Sequence, residues 1–172
     1  MPKKVEDVVK VLPPDKRWEY VCDAAWNLWI NVPKVLAEDY GWGYKKASDF
    51  LVNFAHRDAD KDSQDGLVAQ GIKERDATAA LRAGMYLMVN MFKKGNFRIL
   101  EYSPDRCVFE YDWNPNIEVA KRLGVFDKFD LATMDDKWWT KLAANVNPRL
   151  KVKFEKRLEW GDPVTRQVIY KE

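Results

Sequence analysis

The sequence predicts an α+β fold, with a helical N-terminal half packed on a small antiparallel sheet formed by C-terminal hairpins. Three observations predict it. Up to residue 95, apolar residues recur at the three- and four-residue spacing of a helix face. Beyond it, two pairs of short runs rich in β-prone residues flank the compact turns 103–106 and 161–163. Helices and strands therefore segregate along the chain, as in α+β architectures, and do not alternate as in a parallel α/β sheet. A chain of 172 residues, 47 % of them apolar, suits one domain, residues 1–95 mainly helical and 96–172 carrying the sheet and two short helices.

Each element has its own signal. After Pro13-Pro14, Asp15 is the expected N-cap of a helix carrying Trp18, Val21, Cys22, Ala25 and Trp29; Pro33 either ends it or kinks it, with Val35 to Tyr40 continuing it to Gly41. A second helix is expected over 44–56, with Ala47, Phe50, Leu51 and Phe54 on one face. Residues 57–66, RDADKDSQDG, lack an apolar period and read as a loop. A long helix is expected over 67–94, opened by Glu74, Arg75 and Asp76, with Lys93 and Lys94 in its last turn and Gly95 after it. A hairpin over 97–111, short helices over 117–123 and 135–144, and a second hairpin over 150–170 complete the chain.

Composition excludes several classes. With 29 Lys and Arg against 27 Asp and Glu, the net charge of +2 gives no field that suits nucleic acid or an anionic membrane. No run approaches the roughly 18 apolar residues of a membrane span. Met1 to Asp7 is a mixed-charge stretch unlike the apolar core of a signal peptide, so the expected location is cytoplasmic. Cys22 and Cys107 stand far apart, which excludes a disulfide framework or zinc ribbon and leaves two buried apolar residues.

Eight tryptophans are the most informative count in the composition. Trp26 and Trp29 on the first helix, Trp113 at a strand exit and Trp139 beside Trp138 are the candidate substrate-binding side chains. Adjacent residues on a helix point about 100° apart, so one of Trp138 and Trp139 is expected to face a cavity, a neighbouring chain or solvent.

Four residues are candidates for acid–base work. Asp23 lies mid-way along the polar line Glu19, Asp23, Asn27, beside Trp18, Trp26 and Trp29; a carboxylate held against indoles is desolvated and its pKa rises. The bland reading is a water-facing line. His56 is the sole imidazole, with a helix C-terminal cation as its structural alternative. Glu110 and Asp112 share one strand face among Phe109, Tyr111 and Trp113, where they either flank a substrate or form the outer face of a sheet. No metal site is expected: the run Asp58, Asp60, Asp62 has Ser63 where a calcium loop has glycine and Ala69 where it has glutamate. Nor is there a phosphate-binding glycine loop or a nucleophile elbow.

The order of segments resembles that of the 2-aminothiazoline-4-carboxylate hydrolase-like proteins across nearly the whole chain. The resemblance is specific in three places: Phe109 to Gly124, a strand exit followed by Pro115 and a short helix; Ala144-Asn145-Val146-Asn147-Pro148-Arg149-Leu150-Lys151-Val152, the entry from helix to strand; and Leu158-Glu159-Trp160-Gly161-Asp162, the closing turn. It implies an α+β fold and hydrolysis of a C–N or C–S bond. Family members commonly carry cysteine where this chain has Trp113-Asn114, residues near Met134, and Thr165, so no catalytic residue carries across.

The functional expectation is a small, cofactor-independent hydrolase or lyase that opens a compact cyclic or aromatic molecule in a tryptophan-lined pocket. Its alternative is a non-catalytic module that binds a hydrophobic ligand or a protein. The expected partners are a small aromatic or heterocyclic molecule and a second copy in a homo-oligomer, with no nucleic acid and no membrane.

Overall fold

The structure, a computed structural model, describes residues 13–92 and 94–172. The N-terminal charge pattern and Lys93 lie outside the described residues.

Three long helices come first: α1 (Pro14–Glu38), α2 (Gly43–Ala69) and α3 (Ala77–Met91). The hairpin β1 (Phe97–Tyr102) and β2 (Arg106–Tyr111) follows, then α4 (Pro115–Arg122) and α5 (Leu131–Val146). Strand β3 (Leu150–Lys156), a single 3-10 turn at Leu158–Trp160 and β4 (Thr165–Lys171) close the chain. The sheet order is β1-β2-β4-β3, with every neighbouring pair antiparallel, so the two hairpins join through β2 and β4. This is the α+β class expected from the sequence.

The alternation of β2 explains how the sheet sits. Cys107, Phe109 and Tyr111 join the buried core with residues of α3 and α5. Between them in sequence, Glu110 takes the opposite face, where Arg98 and Arg166 pair with its two oxygens at 2.7 and 2.6 Å. A second core lies among α1, α2, α4 and the N-terminal part of α5, centred on Ile30, Leu51, Val125 and Leu131. Trp138 and Leu158 pack against both.

Three local expectations are corrected. Residues 57–66 are not a loop; α2 runs through them to Ala69. Its buried stripe continues as Ala55, Ala59, Ser63 and Gly66, small residues that bury a helix face without reading as apolar. The long helix over 67–94 is divided. Gly71 adopts a left-handed φ of +60° in the intervening turn, and Asp76 caps α3 by accepting from the Ala79 N–H at 3.0 Å. Helix α1 has Pro13 as its N-cap, with Asp15 inside its first turn; of the two readings of Pro33, the helix continues through it to Glu38.

Candidate functional site

A cavity of about 160 Å³ lies where the helices meet the end of β2. From α1 it receives Ala25, Trp26 and Trp29, and from α3 Leu87, Met88 and Met91, with Phe92 just beyond. From α5 come Met134, Asp135, Trp138 and Trp139, which share one helix face by their spacing. Asp58 and Asp62 of α2, Tyr111 of β2, and Asn114 and Asn116 at the start of α4 complete the wall.

Hydrogen bonds hold the rings in place. The Trp26 indole N–H donates to the Met91 carbonyl at 3.1 Å, and that of Trp18 to the Asn90 carbonyl at 3.1 Å. Both carbonyls belong to the last turn of α3, where no helical N–H reaches them, so α1 closes the end of its neighbour. The Trp138 N–H donates to Asp62 Oδ2 at 2.8 Å. Trp138 and Trp139 meet edge to face at 4.9 Å, and Trp26 meets Phe92 the same way at 5.9 Å. Trp29 differs: its N–H is buried without a hydrogen-bond partner.

The polar wall is ordered by Asn114. Its side-chain oxygen accepts from the Asn116 N–H at 2.9 Å, capping α4, and its amide donates to Asp135 Oδ2 at 3.1 Å. Tyr111 completes the group, its hydroxyl 3.5 Å from the same oxygen. Asn116 Oδ1 is buried and has no partner.

The electrostatics follow from burial. Removal from water raises the Asp62 pKa to about 6, against the Trp138 hydrogen bond, which lowers it. The Asp58 carboxyl is also raised, chiefly by burial. Burial lifts Asp135 well above the usual carboxylate range, and the Glu159 carboxyl nearby adds to this while Arg157 opposes it. Among the described residues, no Lys, Arg or His lines the cavity.

The sequence-selected residues divide. Trp26, Trp29 and Trp139 line the cavity. Trp113 stands behind Phe92, the ring centroids 5.7 Å apart, and is not among the lining residues. The four acid–base candidates also stand outside the lining. Asp23 is half-buried on α1 and His56 is exposed on α2. Glu110 is held between two arginines on the outer sheet face, and exposed Asp112 accepts from the backbone and side-chain N–H groups of Asn96 at 2.8 and 2.7 Å. Both cysteines are free and buried, and among the described residues no group of three or more His, Cys, Asp or Glu could hold a metal ion.

Sequence reasoning passed over Asp58, Asp62, Asn114, Asn116 and Asp135. The i, i+4 spacing of Asp58 and Asp62 lay inside the stretch read as a loop. Asp135 has a legible signal, because it precedes Trp138 and Trp139 by three and four residues on their helix.

No family model matches the chain, and no curated protein matches it. Solved structures do. Trafficking protein particle complex subunit 3 from Naegleria fowleri, covalently bound to palmitic acid, superposes with a TM-score of 0.57 at 11 % identity, over 90 % of this chain and 96 % of that one. The phenol-responsive sensory domain of the transcription activator PoxR, with phenol, gives a TM-score of 0.59 at 9 % identity, over 87 % of this chain and 74 % of that one. The likeness is one of fold. Among the described residues, no helix is long and apolar enough to cross a membrane.

Proposed function

We propose that this chain is a small-molecule-binding module whose cavity takes one compact aromatic ring. The observation that carries the reading is the cavity itself: about 160 Å³, walled by four tryptophans, Phe92 and Tyr111. An engineered protein cavity of about 150 Å³ holds benzene, so the volume suits a single ring with a small substituent. Two proteins of the same fold, one bound to palmitic acid and the other responsive to phenol, support ligand binding over catalysis.

The hydrolase reading keeps one observation. Asp62 and Asp135 carry raised pKa values at a single cavity, the arrangement by which a carboxyl becomes an acid or base near neutral pH. Against it, Asp23, His56, Glu110 and Asp112 contribute nothing to the cavity wall.

Calorimetric titration with phenol, toluene and benzyl alcohol tests the proposal, with parallel mass spectrometry of the small molecules. One-to-one saturable binding with unchanged ligand masses is expected. A new product mass would move the assignment to the hydrolase reading.

A further inference from the structure

The module reading leaves the charge of the ligand open, and the wall of the cavity specifies it. Three carboxyl groups, Asp58, Asp62 and Asp135, face the space from α2 and α5, and among the described residues no cationic side chain lines it. The indole N–H groups of Trp26 and Trp138 are spent on Met91 and Asp62, and one N–H of the Asn114 amide is spent on Asp135. What stays open is an acceptor, Asn116 Oδ1, on a side chain more than nine-tenths buried, together with acceptor positions on the carboxyls. Among the lining residues, Trp29 Nε1 is the one buried indole nitrogen without an acceptor.

Resting on the module reading, we propose that the cavity binds a cationic ligand: a single aromatic ring bearing a protonated amine on a short arm. An ammonium brings three N–H donors for the carboxyls and Asn116 Oδ1, whereas a phenolic hydroxyl brings one donor. Indole faces attract a cation through the ring quadrupole, so the aromatic walls serve both the ring and its charge. The acidic groups do not converge as metal ligands do, which leaves room between them for an organic head group. The raised carboxyls agree with this, since burial outweighs the opposing Lys61 and Arg157 charges at Asp62 and Asp135, and a cation in the cavity favours their ionised forms.

Acidity then becomes a readout. Asp62 titrates near 6 in the presence of Asp58, Lys61 and Asp65 from its own helix, with the Trp138 N–H and Asp135 approaching from α5 and Tyr111 from β2. The ammonium of benzylamine stays protonated over the range in which this carboxyl changes charge.

The test titrates three ligands of one size, benzylamine, benzyl alcohol and benzoate, into the wild type and Asp62→Asn by calorimetry. Expected at pH about 7.5 is binding of benzylamine about tenfold or more tighter than benzyl alcohol, with benzoate weakest. Between pH about 7.5 and about 5 the wild-type affinity for benzylamine falls by up to about tenfold, as one proton competes with the ligand. Asp62→Asn flattens that slope and keeps an acceptor for Trp138, so the fold is preserved. Benzyl alcohol binding as tightly as benzylamine, or a benzylamine affinity indifferent to both pH and Asp62→Asn, overturns the cationic assignment while the module reading stands. Binding of none of the three by a folded wild type overturns both.

Discussion

At the scale of single residues, Asp62 is the group in which structure and function meet. Its carboxylate accepts from Trp138 and is half-buried, and its pKa of about 6 lies above the value of an unfolded chain. Between roughly pH 4 and 6 the folded state therefore binds more protons at this site than the unfolded state does. The stabilisation from this group is full at the acidic end and is lost as pH rises through 6. Asp62→Asn cannot titrate, so its melting temperature minus that of the wild type should increase across this window. Thermal melts of the two proteins between pH about 4.5 and 7.5 measure the difference directly. A constant difference would mean that Asp62 is not desolvated in the folded protein.

At the scale of elements, α2 shows what composition conceals. Gly66 lies where α2 meets α3, and a Cβ placed on it would stand 2.5 Å from the Ala83 carbonyl oxygen. That contact is with backbone, which a rotamer change cannot relieve, so Gly66→Ala must push two helices apart. Overpacking of this kind costs about 1–3 kcal/mol, and chemical denaturation should show a loss of that order. Gly84 plays a similar part beneath Trp139, where a Cβ would meet the indole ring. These small residues also explain the limits of the sequence reading. The two hairpins and the helices carrying Trp18 to Trp29 and Trp138 to Trp139 were legible because large apolar or β-prone residues marked them. The second half of α2 was not, since Ala59, Ser63 and Gly66 bury a helix face with almost no hydrophobic signature. Missing that helix hid Asp58 and Asp62. The outward pairing of Glu110, by contrast, was legible as the structural alternative for a sheet residue.

At the scale of the whole molecule, the cavity lies at the junction of the two cores, between a helical layer that brings the indoles and a strand end that brings Tyr111. Trp138 packs against both cores and bonds to Asp62, so the polar edge of the cavity is tied to the packing of the entire domain. Three of the four tryptophans in the wall were selected from the sequence, Trp26 and Trp29 by their helical spacing and Trp139 from its adjacency to Trp138; of the acids opposite them, Asp135 was marked by its spacing from Trp138 and Trp139, while Asp58 and Asp62 lay in the stretch read as a loop. On the proposed function, this cavity receives the ligand. A crystal structure of the protein soaked with benzylamine or benzyl alcohol tests it most directly. The account predicts ring-shaped density bounded by Trp26, Trp29 and Trp139, with the substituent toward the Asp62 and Asp135 side. An empty cavity with the ligand bound elsewhere, or indoles collapsed into the space, would contradict it.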